Sequence, residues 1–259
     1  CPNQLAASNS CSQARPSTGD RGKQICNRSL PFPLSFVLYL RGPMDASDIL
    51  WTLLSLFFIG LAYFATFAFV AGLIWKFVGY LRTPMPLPHA LTPAPTTESG
   101  SVLRVLGDLT IFPNLFKADK LLWGGAWVFH AALVAILFRH LRYFTYPVPG
   151  LVLYLETVAL FFGVLFGAAI LFLFWRRLGL PRTLYISNLP DYFVLALLGL
   201  IASSGLLVSY WLHVSIVDVK GFILGLMSFH PVEVPRHPLF LLHLFFVLTL
   251  MIYFPFSKL

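Results

Sequence analysis

The amino-acid sequence predicts an all-α membrane protein, a bundle of five transmembrane helices. Only 11% of its 259 residues are charged and 58% are hydrophobic, whereas a soluble domain carries about 25% charged residues. The apolar residues also form runs as long as the roughly 20 helical residues that cross a bilayer. Because these runs are continuously apolar rather than alternating, they do not fit a transmembrane β-barrel.

Five segments without Asp, Glu, Lys or Arg define the predicted spans. They are Ile49–Trp75, Leu121–Phe138, Thr157–Trp175, Tyr192–Val217 and His237–Ser257. We expect the third helix to begin earlier, near Gly150, so that Glu156 lies within it. Helices are the expected form because unsatisfied backbone groups are too costly in lipid.

Residues 1–43 differ in composition from the rest of the chain. They are polar, contain all three cysteines and precede the first methionine, Met44. We interpret residues 1–43 as a non-native or disordered N-terminal extension, since a secretory signal peptide would order its basic, apolar and small residues differently. Residues 44–259 are then expected to form the five-helix membrane domain. The sequence has no CxxCH motif for covalent haem attachment.

Basic residues are distributed unequally between the two sides of the predicted bundle. The side with the first loop, the third loop and the C-terminus has nine of them, and the opposite side has four. Because basic residues favour the cytoplasmic side, we expect the Met44 end outside and the C-terminus inside. The predicted location is the inner (plasma) membrane, with several passes.

The first inner loop, from about Lys76 to Lys120, has two different parts. Residues 83–95 are rich in proline and are not expected to be helical throughout. Val102–Ala118 mixes apolar and charged residues, which is typical either of a short helix in the membrane interface or of a docking surface for a cytoplasmic partner. A connection this long is uncommon unless it has a role.

Three histidines lie within the predicted spans, where a polar side chain is costly and suggests a function. His130 and His140 are on the second helix and His243 is on the fifth. Ten helical residues rise about 15 Å and stop about 80° short of three turns, so His130 and His140 face a similar side at two depths. Neutral imidazole is a good axial ligand for haem iron. The alternative is that each histidine only bonds a serine or a carbonyl.

Other polar residues are weaker candidates. Glu156, near the outer end of the third helix, is a candidate proton acceptor at a quinone site, with an arginine-paired or snorkelling glutamate as the alternative. Arg176 and Arg177 could bind haem propionates or simply anchor the helix end. The remaining histidines are expected to be solvated or interfacial, and they are His89, His213, His230 and His237.

At these residues the sequence resembles a known family. The pattern of Phe129-His130 and His140, with Leu242-His243 and the ending Tyr253–Leu259, is similar to the gamma subunit of respiratory nitrate reductase, a five-helix dihaem cytochrome b. It resembles more closely the DsrM-type cytochrome b of the membrane complex linked to dissimilatory sulfite reduction. Further supporting segments are Leu81–Pro88, Thr92–Thr97, Val102–Arg104, Leu115–Lys120 and Arg139–Thr145.

This resemblance implies two haem b groups and their ligands. His140 and His243 would bind the iron of the outer haem. His130 would bind the iron of the inner haem, with a partner on the fifth helix beyond Leu259, so this sequence departs from the family pattern at its last ligand. The resemblance therefore implies that residues 44–259 are a five-helix cytochrome b-type domain truncated at its C-terminus.

The resemblance also implies quinone chemistry in an anaerobic respiratory complex, so that the chain is one subunit of a quinone-dependent oxidoreductase. Electrons would pass between menaquinone or ubiquinone and a cytoplasmic iron–sulfur subunit, alongside other membrane subunits and without nucleic acid. In the sulfite-linked group that partner resembles the heterodisulfide reductase catalytic subunit, and in the nitrate-linked group it is the beta subunit.

Two functions of other classes compete with this one. A cofactor-free anchor or assembly subunit would bind its partner through Pro84–Lys120 and would not need the histidines. A small-molecule transporter is the weakest candidate, because the two halves of the chain show no convincing repeat.

Overall fold

The computed structural model describes residues 45–84, 95 and 97–257, and these residues form helices without a strand among them. Five helices are long and apolar enough to cross a membrane. This confirms the predicted fold class and the multi-pass membrane location. The predicted extension at residues 1–43 and most of the proline-rich loop, with His89, lie outside the described residues.

Nine helices are present in the described part of the chain, and five of them are the spans. The spanning helices are α1 (Ala46–Arg82), α4 (Lys120–His140), α5 (Gly150–Gly179), α7 (Leu189–Tyr210) and α9 (Pro238–Tyr253). The shorter helices are α2 (Glu98–Thr110), α3 (Pro113–Ala118), α6 (Pro181–Ile186) and α8 (Ile216–Met227). Single 3-10 turns follow two of the spans, at Leu141–Tyr143 and Phe254–Phe256.

The ends of two spanning helices can be compared with the sequence. The third of these helices begins at Gly150 with Glu156 inside it, as predicted. The fourth charge-free run continues to Val217, but α7 ends at Tyr210, which agrees with the expected place of His213 at or in the outer loop. A new helix begins where the Ser215 hydroxyl accepts a hydrogen bond from the Asp218 backbone N–H, 3.4 Å away. Lack of charge therefore marked an apolar segment but not the end of its helix.

Local capping explains where several helices start. The Asp119 carboxylate accepts a hydrogen bond from the Leu122 backbone N–H at 2.9 Å, at the start of α4. At the start of α7, Asp191 accepts from the Asn188 backbone N–H at 3.0 Å. Asp191 is therefore part of the N-terminal cap of α7. Such bonds satisfy backbone N–H groups that have no partner inside the helix.

The spans pack in the order α4, α5, α7, α9 and α1, each against the next. One buried cluster joins α1, α8 and α9, and a second joins α4, α5 and α7. Ala65 and Ala132 are completely buried in these clusters, since small residues allow helices in lipid to approach closely. Large apolar side chains such as Phe67 and Trp75 remain exposed on the outside, as expected for residues that face lipid.

The connection between α7 and α9 is fastened to the start of α1. The Tyr63 hydroxyl donates to the Leu226 carbonyl at 3.1 Å, and the buried Ser55 hydroxyl accepts from the Val234 N–H at 3.1 Å. Arg236 pairs with Asp48 at 3.0 Å. We call this end of the bundle the outer end and the opposite end the inner end, following the predicted orientation.

A glycine on α1 allows the close approach of the chain's last turn. A Cβ built on Gly72 would lie 2.6 Å from the Pro255 Cβ. We therefore expect Gly72→Ala to destabilise the protein by about 1–3 kcal/mol through overpacking, measured as thermal unfolding in detergent. Gly60→Ala on the same helix is the control, because its Cβ meets no described atom within 4 Å and should stabilise by about 0.5–1 kcal/mol. Equal destabilisation by both would contradict the steric explanation.

Candidate functional site

Two of the three predicted ligand histidines come together near the outer end. His140 is the last residue of α4, and His243 lies in the second turn of α9. An electrostatic interaction between the two side chains places them in the same part of the bundle. The two helices are not among the closely packed pairs of the described chain. The two imidazoles therefore lie on helices whose backbones are not in close contact.

The surroundings of His243 determine which ring nitrogen bears hydrogen. The Ser204 hydroxyl is 2.9 Å from His243 Nδ1 and donates its own hydrogen to the Leu200 carbonyl at 2.6 Å. Because the hydroxyl has only one hydrogen to donate, it accepts from Nδ1–H. The lone pair that can bind a metal then lies on Nε2.

His140 and His130 also carry their ring hydrogen on Nδ1, because each bonds a backbone carbonyl there. His140 Nδ1 is 2.7 Å from the Ile136 carbonyl oxygen, and His130 Nδ1 is 2.7 Å from that of Ala126. A carbonyl oxygen can only accept, so Nδ1 is the donor in both rings. All three predicted ligands therefore keep the Nε2 lone pair uncommitted by these bonds.

His130 is separate from the other two. It lies ten residues before His140 on α4, a rise of about 15 Å. Its ring contacts are aromatic, with the Phe112 ring at 5.2 Å and the Phe129 ring at 5.1 Å between centroids. No hydrogen bond or ring contact joins it to another histidine of the described residues.

The donor set fits haem iron better than a bare metal ion. No group of three or more His, Cys, Asp or Glu suited to a metal ion occurs among the described residues. Haem iron needs only two axial ligands from the protein, and neutral imidazole is a common one. His140 and His243 offer two such imidazoles with Nε2 lone pairs.

A charged group of residues lies beside this pair at the outer end. Glu156 forms an ion pair with Arg142, which is the alternative that the sequence had left open for it. The Arg139 guanidinium acts electrostatically on His140, and its buried Nε has no hydrogen-bond partner in the described part of the chain. Such a cation is suited to bind a carboxylate.

The inner-end arginines already have carboxylate partners. Arg176 pairs with Asp119, and Arg177 lies 3.7 Å from Asp191. The Leu122 N–H and the Arg176 guanidinium together hold the pKa of Asp119 below its usual range. The first pair joins the end of α5 to the start of α4 and the second joins it to the start of α7, so they explain the two arginines without haem propionates.

The remaining histidines are at the outer end. His213 and His230 are exposed, as predicted. His237 is half-buried at the start of α9, and its buried Nδ1 has no hydrogen-bond partner among the described residues.

Sequence reasoning missed two residues that hold His243. Ser204 is buried, and a Cβ built on Gly205 would lie 3.0 Å from His243 Cε1. Gly205 thus leaves the space in which the imidazole sits. The sequence signal that could have indicated them is Ser203–Gly205, three small residues, two of them polar, within an apolar span. Polar residues are energetically costly there.

Fold and site define a multi-pass membrane protein with paired imidazoles in its helix bundle. No protein-family model matches the sequence. The "Hdr-like menaquinol oxidoreductase cytochrome b-like subunit" of Archaeoglobus profundus is 31% identical over 247 residues, covering 78% of this chain and 74% of that protein. The protein of the same name from Archaeoglobus fulgidus is 31% identical over 242 residues, covering 76% and 73%.

The chain therefore belongs to this family of membrane cytochrome b-like subunits. The resemblance to a membrane cytochrome b is confirmed at this level. The relatives do not support the narrower resemblance to the nitrate reductase gamma subunit or to the DsrM type.

Loss of the Ser204 hydroxyl should remove its hydrogen bond with His243 Nδ1. We expect Ser204→Ala to destabilise the protein by about 1 kcal/mol, the usual net contribution of a hydrogen bond, measured by thermal unfolding in detergent. Ser203→Ala is the matched control, because Ser203 is exposed and only donates to the Leu200 carbonyl. It should change stability by less than about 0.5 kcal/mol, and equal losses would show that the bond to His243 does not contribute.

The lowered pKa of Asp119 predicts a stability that depends on pH. Because the folded protein holds this carboxyl ionised, its contribution is present at neutral pH and is lost as the pH falls below about 4, the ordinary aspartate pKa. We expect Asp119→Ala to lower the unfolding temperature at pH 7 and to differ less from the wild type in acid. Asp119→Asn, which can still cap α4, should lose less. A difference that stays constant with pH would contradict the ionic contribution.

Proposed function

We propose that this chain is the haem b-binding membrane subunit of a quinone-linked oxidoreductase complex. In this function it passes electrons between menaquinol and a cytoplasmic iron–sulfur partner. The observation that most supports it is the location of His140 and His243 near the same end of the bundle, each with its Nδ1 in a hydrogen bond and with no hydrogen bond to Nε2 in the described part of the chain. The names of the two relatives support menaquinol over ubiquinol as the electron donor or acceptor.

When bound, haem supplies one-electron redox chemistry at its iron. The chain would hold the outer haem through Nε2 of His140 on α4 and Nε2 of His243 on α9. The Ile136 carbonyl and the Ser204 hydroxyl fix the two rings through Nδ1, which also raises the basicity of the ligand nitrogen. Arg139, beside His140, is suited to bind a haem carboxylate.

His130 is the proposed ligand of a second haem nearer the inner end. It lies on the same helix as His140, about 15 Å away by helix rise, and has the same Nδ1 bond to a carbonyl. Two haems at two depths would provide a path for electrons across the membrane. This matches the dihaem arrangement that the sequence resemblance implies.

Glu156 is the proposed proton acceptor for quinol. Oxidation of a quinol to a quinone releases two electrons and two protons, so the site needs a base as well as an electron acceptor. Glu156 lies near the outer end and is partly exposed, while its partner Arg142 is largely buried. Arg142 would hold the carboxylate in place while its exposed part takes up a proton.

The soluble partner is proposed to meet the inner end. The basic side chains that favour a cytoplasmic location are concentrated there, and the predicted orientation is based on them. The words "Hdr-like" in the relatives' names support an iron–sulfur partner similar to heterodisulfide reductase, as in the sulfite-linked group. This makes the nitrate-linked partner the less favoured of the two.

Ligation by these histidines can be tested by spectroscopy of the complete protein in its membranes. We expect reduced-minus-oxidised spectra to show b-type haem, and His140→Ala and His243→Ala each to abolish the same component. His130→Ala should abolish a different component. His213→Ala, at an exposed histidine, is the control and should retain both.

A cofactor-free anchor subunit makes the opposite prediction. It would show no b-type absorbance in the wild type, and all four histidine variants would assemble with their partner normally. That result would overturn the proposed function.

A further inference from the structure

The short connection before α4 turns back along that helix. We call residues Ile111–Asp119 the 111–119 segment, and α3 within it packs against α4. Six helical residues rise about 9 Å. Phe112, at the start of α3, therefore lies beside α4 at a point further toward the C-terminal end of that helix than Lys120. This placement brings the Phe112 ring to the middle of α4, where its centroid is 5.2 Å from that of His130.

Phe112 has a backbone conformation that a phenylalanine rarely adopts. Its φ and ψ are both 52°, in the left-handed region. This conformation is costly for a bulky residue, and it persists only where the surroundings hold it. Such residues are concentrated at functional sites, which makes the contact of this one with a proposed ligand informative.

The surroundings of Phe112 do hold it. The Trp123 indole N–H donates to the Ile111 carbonyl at 2.6 Å, and the Phe116 ring packs edge-on against the Trp123 ring at 5.0 Å. At the other end of the segment, Asp119 caps α4 and pairs with Arg176. Both ends of the 111–119 segment are therefore fixed to α4, and its second residue points at His130.

Core packing does not account for this ring. Phe112 belongs to neither of the two buried apolar clusters, nor to the side chains packed against them. The ring contact that it makes is with His130. On its other side, the His130 imidazole is held by the bond from Nδ1 to the Ala126 carbonyl.

We propose that Phe112 is a positioning residue for His130. Its ring and the Ala126 carbonyl together set the plane in which the exposed imidazole would present Nε2 to iron. The inference rests on the proposed function, because it assigns a role to Phe112 only if His130 binds haem. Residues outside the immediate ligands commonly fix imidazole orientation in metal sites.

The test uses the complete haem-loaded protein purified from its membranes. The low-spin ferric EPR signal that disappears in His130→Ala identifies the haem bound by His130. Phe112→Gly removes the ring while suiting the left-handed backbone, so the segment keeps its path. We expect this variant to shift the g-value of that signal and to lose this haem to apomyoglobin about tenfold faster.

Two further variants separate the ring from general packing. Phe112→Tyr retains the aromatic ring and should behave like the wild type. Phe116→Leu, in the same segment, removes a ring that contacts Trp123 rather than His130, and it should leave the signal and the haem transfer rate unchanged.

The possible failures can be told apart. A wild-type protein without a His130-dependent haem signal would overturn the proposed function and the positioning role with it. A wild-type signal that is unchanged in Phe112→Gly would overturn the positioning role alone. A shift in Phe112→Tyr as large as that in Phe112→Gly would also overturn it, since the ring would then not be the cause.

Discussion

The cost of an unpaired polar group in hydrocarbon is the constraint on which this structure depends. Backbone groups satisfy this constraint by forming helices, and three histidines within the spans satisfy it by a hydrogen bond at Nδ1. The Nδ1 atoms of His130 and His140 bond the carbonyl one turn earlier in their own helix. The Nδ1 atom of His243 bonds a serine on α7. The same bonds leave Nε2 free in each ring, so the requirement for burial also produces the protonation state that a metal ligand needs.

This difference in bonding makes the outer site depend on three helices rather than two. His140 would keep its ring orientation if α4 alone stayed intact. His243 depends on the packing of α7 against α9, because Ser204 supplies its hydrogen bond and Gly205 supplies its space. The orientation of His140 thus depends on contacts within its own helix, and that of His243 depends on contacts between helices. Changes in α7 should therefore reach the site although α7 contributes no proposed ligand.

The sequence predicted the parts of this architecture that lipid imposes directly. Charge-free runs identified all five spans, and the start of the third at Gly150 was predicted despite Glu156. The charge-free runs did not give the helix ends, since the fourth run continues past Tyr210 while its helix does not. Ser204 and Gly205 were missed because their importance comes from a neighbour 38–39 residues away in sequence. The left-handed conformation of Phe112 was also missed, because a phenylalanine rarely adopts it. The contacts that hold it, such as the bond from Trp123 to the Ile111 carbonyl, form only in the folded chain.

The two proposed haem sites would be held by different kinds of structure. At the outer end, the ligands are supported by spans and by bonds inside the bundle. At the inner end, His130 is supported by the 111–119 segment, whose ends are fixed by Trp123 and by the pair of Asp119 with Arg176. That pair is partly exposed and depends on ionisation, so it is open to pH and salt. A partner at the inner end, as proposed, would bind beside this same segment, so its binding would reach the surroundings of His130 more directly than those of His140 and His243.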